Sequence, residues 1–80
     1  MATEYIVDQR LDCKGLNCPL PVIKTKKAIG TMAVGQVLEM VATDKGSKAD
    51  MVAWSKSTGH ELLDAKEDAG LFFFYVRKMK

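Results

Sequence analysis

The run Leu71-Phe72-Phe73-Phe74-Tyr75-Val76 contains no polar position, so neither of its faces is suited to open water. A short apolar run rich in aromatics, preceded by the turn-forming Glu67-Asp68-Ala69-Gly70, reads as a strand packed on both sides near the centre of a sheet. The strand is expected over 71–79. A chain of eighty residues can build only one core to cover it, because domains typically hold ~100–200 residues. A hydrophobic fraction of 48% with 28% charged residues and two prolines fits a compact domain and excludes disorder. The same apolar run is far shorter than the ~18 residues a membrane-spanning helix needs. The opening MATEYIVDQR has no basic stretch followed by an apolar one, so no secretory signal is expected. Cys13 and Cys18 are too few for a secreted disulfide scaffold, which points to the cytoplasm and to reactive thiols.

The rest of the chain must supply partners for that strand. Tyr5, Val7 and Leu11 share one parity and Asp8 and Arg10 the other, which predicts a half-buried first strand. Lys14–Cys18 forms a loop in which Gly15 and Asn17 can take positive φ. Pro19 suits the first position of a helix, and Val22, Thr25, Ala28, Ile29 and Met32 follow at helical spacing, with Lys24, Lys27 and Thr31 opposite. Val37–Thr43 is a second strand, with Glu39 on its outer side. Ser47 and Asp50 match a capping box, so a second helix is expected over 48–58, with Met51, Trp54 and Ser55 inward and Gly59 at its C-cap. Glu61–Lys66 is a third, weaker strand. The order βαβαββ with right-handed crossovers gives an α/β two-layer sandwich: a four-stranded mixed sheet with two helices on one face, the other face partly open. All eighty residues belong to one domain.

Chemistry concentrates in Leu11-Asp12-Cys13-Lys14-Gly15-Leu16-Asn17-Cys18-Pro19-Leu20-Pro21. Proline disfavours the helical region for the residue before it, so Cys18 is held extended, as an N-cap residue should be. There it meets the positive end of the helix dipole, which stabilises a thiolate over a thiol. Pro19 and Pro21 remove two backbone N–H groups, leaving those of Leu20, Val22 and the loop to bond a sulfur anion. Lys14 and Lys24 add positive charge nearby. An exposed, easily deprotonated thiol suits attack on sulfane sulfur. Burial of Cys18 as a small hydrophobe is the alternative, and a loop-to-helix junction set by two prolines is a poor place for it.

The segment Leu-Asp-x-x-Gly-Leu-x-Cys-Pro-x-Pro, Leu11 to Pro21, resembles the signature of the TusA (SirA-like) sulfur-carrier family. The resemblance extends through Gly35-Gln36-Val37-Leu38, Ala42-Thr43-Asp44, Gly59-His60-Glu61-Leu62 and the terminal aromatic strand. It implies a persulfide carried on Cys18, with no cofactor. Sulfur would come from a cysteine desulfurase or rhodanese-like donor and pass to a DsrE-type sulfurtransferase or a tRNA thiolase. Family members serve sulfur oxidation, tRNA thiolation and molybdenum cofactor assembly, and the Gly-Leu-Asn-Cys-Pro-Leu-Pro wording is most similar to the sulfur-oxidiser branch. Cys13 is not required by the family. It reads as a small residue at a strand end, in preference to a resolving thiol that would attack the persulfide or form a Cys13–Cys18 disulfide.

Other functional classes fare less well. A dithiol redox or regulatory protein would carry Cys-x-x-Cys or Cys-x-x-Ser, but the fourth position here is Pro21, and no further proline can stand opposite the thiol. A metal centre needs about four ligands, more than two cysteines and His60 supply. A Cys18–His60 dyad would need His60, at a strand start, to reach the thiol. For an RNA-binding module, Lys24, Lys26 and Lys27 with Arg77, Lys78 and Lys80 could form a basic patch near Cys18. A net charge of +2 is weak for that role, and Trp54 at core spacing is packing rather than a stacking platform. Lys24 and Lys27 are better read as steering acidic protein partners.

Overall fold

A computed structural model describes residues 6–17 and 20–80. Its elements are β1 (Gln9–Cys13), α1 (Leu20–Gly30), β2 (Val37–Ala42), α2 (Ser47–Thr58), β3 (Glu61–Asp68) and β4 (Leu71–Arg77). The sheet order is β1-β2-β4-β3, with β1 parallel to β2 and β4 antiparallel to both β2 and β3. This is the expected two-layer βαβαββ sandwich. Both helices pack on one face of the sheet and against each other. Among the described residues, no helix is long and apolar enough to cross a membrane.

The core forms where the inward parities meet. Cys13 pairs with Ala42, Leu11 with Met40, Met40 with Phe74 and Leu38 with Val76. These residues meet Ala28 and Ile29 of α1, Met32 just beyond its end, and Met51 and Trp54 of α2. The apolar run of β4 is central, as its composition demands, between β2 and β3. Phe74, Tyr75 and Val76 are buried, whereas Leu71, Phe72 and Phe73 are only half-buried. The cover on both sides is therefore complete only over the second half of the strand.

Several boundaries differ from the sequence expectation, each for a local reason. The first strand begins at Gln9, and Tyr5 lies outside the described residues. β3 continues through Glu67 and Asp68, which pair with Phe72 and Leu71, so the connection shrinks to Ala69-Gly70. Both residues have positive φ, 51° and 83°, the geometry of a two-residue hairpin turn. β3 also carries an irregularity between Leu62 and Asp64. The capping box does not form. α2 starts at Ser47 itself, behind Gly46, and the Asp50 N–H donates to the Gly46 carbonyl at 3.1 Å. Asp44 supplies the turn instead: its Oδ1 accepts from the Gly46 N–H at 3.3 Å and its carbonyl from the Ser47 N–H at 3.0 Å. The Ser47 hydroxyl is buried and finds no hydrogen-bond partner among the described residues. At the other end Gly59 closes the helix as expected, its N–H donating to the Ser55 carbonyl at 2.9 Å.

Candidate functional site

β1 and β2 run parallel, so their C-terminal ends, the start of β4 and the start of both helices share one edge of the molecule. The loop after Cys13 is built there. The Leu16 N–H donates to the Cys13 carbonyl at 3.2 Å, closing a four-residue turn around Lys14 and Gly15. Gly15 has φ of 80° with open space around its Cα, so the backbone conformation, and not crowding, selects glycine. Its N–H donates to Thr43 Oγ1 at 2.9 Å, and the Lys14 N–H donates to Asp12 Oδ1 at 2.9 Å. Leu16 packs back against the core. The turn is thus tied to the ends of both β1 and β2.

Cys18 and Pro19 lie outside the described residues, and with them the expected N-cap geometry. On either side of them the chain is well held. The Leu20 N–H donates to the Asn17 carbonyl at 2.9 Å. This corrects one expectation: that N–H already has an acceptor and is not held in reserve for a sulfur anion. Pro21 is fully buried, and its carbonyl accepts the Thr25 hydroxyl at 2.7 Å, which anchors the first turn of α1. Lys24 and Lys27 are exposed on the outer side of that helix. Leu20 and Ile23 share their stripe and stand 45% and 43% exposed. Helical core spacing does not single out this apolar pair. Its signal is two large aliphatic residues falling outside the Val22-Thr25-Ala28-Ile29 core spacing, one turn or less from the motif.

Cys13 is fully buried and its thiol is free. Burial pushes the thiol up from its ordinary range, the Lys24 ammonium opposes that rise, and Asp12 adds to it. His60 stands at the opposite edge of the sheet, before the start of β3. Its Nδ1 accepts the Met79 N–H at 3.1 Å and its ring lies 5.5 Å from that of Trp54. A sheet length thus separates it from the Lys14–Asn17 loop. The basic patch imagined from the sequence is likewise divided. Arg77 pairs with Glu61 at 3.2 Å, and Lys78 Nζ donates to the Met32 carbonyl behind the C-terminus of α1 at 2.7 Å. Both belong to the His60 edge, because Val37 and Glu61 pair with Arg77 at the end remote from Cys13. Among the described residues, no group of three or more His, Cys, Asp or Glu side chains could hold a metal ion.

Residues 9–78 match the family model described as sulfurtransferase TusA. The chain is 51% identical over 71 residues to a sulfur carrier protein TusA of Allochromatium vinosum, covering 89% of this chain and 93% of that one. It is 49% identical over 71 residues to a putative sulfur carrier protein of Bacillus subtilis, covering 89% and 95%. A crystal structure of a SirA-like protein from Desulfitobacterium hafniense superposes with a TM-score of 0.77 over 90% of this chain and 99% of that one, at 22% identity, so the fold is shared. On the family match and these identities, the chain belongs to the TusA family.

Proposed function

We propose that the protein is a cytoplasmic sulfur carrier that holds sulfane sulfur as a persulfide on Cys18. The Cys18 thiolate attacks the outer sulfur of a donor persulfide. A Cys18–sulfur bond forms, the donor sulfur–sulfur bond breaks, and the donor leaves as a thiolate, with no net oxidation. The reverse attack by an acceptor thiolate unloads the carrier. The observation that carries this reading is family membership across 9–78, which spans the motif. The turn fixed by Gly15 and Thr43, and the buried Pro21, support it as two rigid anchors flanking the motif cysteine.

Donors of the cysteine desulfurase or rhodanese-like class, and acceptors of the DsrE-type sulfurtransferase or tRNA thiolase class, fit a carrier that must dock on folded partners. Lys14, Lys24 and Lys27 offer charge for that docking, and Leu20 and Ile23 offer apolar anchors on the same face. A redox role through a Cys13–Cys18 disulfide is disfavoured, because a fully buried thiol whose pKa is raised has little thiolate with which to react. Intact mass after incubation with a sulfur donor tests the reading. A gain of ~32 Da, reversed by dithiothreitol, is expected for one added sulfur atom. Cys18→Ser should abolish the gain and Cys13→Ala should keep it; the opposite pattern overturns the assignment.

A further inference from the structure

The outward face of α2 carries a feature that sulfur transfer does not explain. Lys45, Lys48, Ala49, Val52, Ala53 and Lys56 line a shallow depression of about 610 Å³. All except Val52 are exposed, while Ser47, Met51, Trp54 and Ser55 on the inward side of the helix are buried. On the helix these residues form two i, i+4 rows, with Lys45 in the turn just before them. Ala49-Ala53 is low, because both side chains end at Cβ, and Lys48-Val52-Lys56 is taller and carries a cation at each end. A helix surface of this kind admits the side-chain ridge of a second helix into the groove, at the short end of the usual ~8–10 Å axis separation. No carboxylate lines the depression, and its lysines give it a single sign of charge.

We propose that this face docks an acidic amphipathic helix of a partner protein. Lys48 and Lys56 lie eight residues apart, about 12 Å along the helix at ~1.5 Å per residue. They match carboxylates seven or eight positions apart on the incoming helix, with small or aliphatic side chains between them seated over Ala49, Val52 and Ala53. RNA is a poorer fit, because nothing aromatic lines the depression for bases to stack on. The groove begins beside the motif loop: Lys45 is two residues beyond Thr43, whose hydroxyl holds the Gly15 N–H. A partner helix lying there would bring its protein to the edge of the molecule where the motif stands. The proposal concerns binding alone and stands whichever residue carries sulfur.

A stapled helical peptide of about fourteen residues, with Glu seven positions apart around a Leu-Ala pair, is the probe. Fluorescence anisotropy should report saturable binding to the whole protein, and amide shifts should change along 45–56. Lys48→Glu with Lys56→Glu should weaken binding about tenfold or more, and a peptide with Lys in place of Glu should recover it. Ala49→Leu with Ala53→Leu should weaken binding with charge unchanged. These side chains are exposed, so circular dichroism should be unaltered; Lys48→Gln with Lys56→Gln serves if the reversed pair fails to fold. Sulfur loading on Cys18, read by mass, should be the same in every variant, which separates failure here from failure of the carrier reading. Absence of peptide binding, equal binding by the reversed pair, shifts on another face, or lysine-dependent capture of a structured RNA without peptide binding would each overturn the proposal.

Discussion

Cys13 and Thr43 stand at the strand ends to which the Lys14–Asn17 loop is tied. Cys13 is the last residue of β1 and has no exposed surface, packed where the sheet meets α1. A serine there would bury a hydroxyl among apolar side chains. Cys13→Ser should therefore lower stability by ~1–3 kcal/mol, the usual cost of an unpaired buried polar group, whereas Cys13→Ala should cost less. Urea denaturation of the two variants makes the comparison; an equally stable Cys13→Ser would mean that the site holds a hydrogen-bond partner or water. Thr43 acts through its hydroxyl on the Gly15 N–H, in an exposed turn. Thr43→Val should cost less than ~1 kcal/mol in stability yet slow sulfur transfer, because the motif loop loses its tie to β2. Unchanged transfer kinetics in a folded Thr43→Val protein would show that the loop is held by its own turn.

Elements were legible in the sequence where one physical signal ruled. The alternation at Arg10 and Leu11, the 3.6-residue spacing of Thr25, Ala28 and Ile29 and the continuous apolar run of β4 each match the observed element. Val7 precedes the observed strand, and Met32 keeps the helical spacing but lies beyond Gly30, where α1 ends. Ends were less legible, because several residue types compete for the same backbone groups. Ser47 and Asp50 spell a capping box, but Asp44 captures the turn first and leaves Ser47 inside the helix. Glu67 and Asp68 resemble turn residues, yet ladder pairing with Phe72 and Leu71 outweighs their local preference. The Lys78 contact with the end of α1 bridges 46 positions of sequence and leaves no local signature. The β3–β4 turn yields a stability prediction. Ala69 sits at φ 51°, where a Cβ is strained by roughly 1 kcal/mol, beside Gly70 at 83°. Ala69→Asn should stabilise the protein by ~0.5–1 kcal/mol, since Asn tolerates that region and Asn-Gly is the favoured pair for such a turn. A fall in the denaturation midpoint would show that Ala69 makes contacts worth more than its strain.

At the scale of the whole molecule the two edges of the sheet divide the work. The edge away from the motif holds the chain end in place: His60 accepts the Met79 N–H, lies against Trp54 and faces Lys78 and Lys80. Burial, then Lys78, then Lys80 lower the His60 pKa below its ordinary 6.5. The unfolded chain therefore takes up the proton first as pH falls, and stability should decline below about pH 6.5 until the folded value is passed. Denaturation midpoints at pH 7.5 and 5.5 should differ in the wild type and converge in His60→Gln. On the docking proposed for the face of α1 beside the motif, charge and apolar surface should separate kinetically. Charges such as those of Lys24 and Lys27 act at a distance, over a screening length of ~10 Å at 0.1 M salt, so their expected effect is on association. Apolar side chains such as Leu20 and Ile23 act only on contact, so their expected effect is on how long the complex lasts. Lys24→Glu with Lys27→Glu should slow protein-to-protein transfer at low salt, with the gap closing as salt rises. Leu20→Ser with Ile23→Ser should shorten the complex lifetime at every salt concentration. Loading by a small inorganic donor needs no docking surface and should change little in either pair. If the charge-reversed pair lost inorganic loading as fully as protein transfer, the lysines would belong to the thiol's own environment, and docking would rest on Leu20 and Ile23.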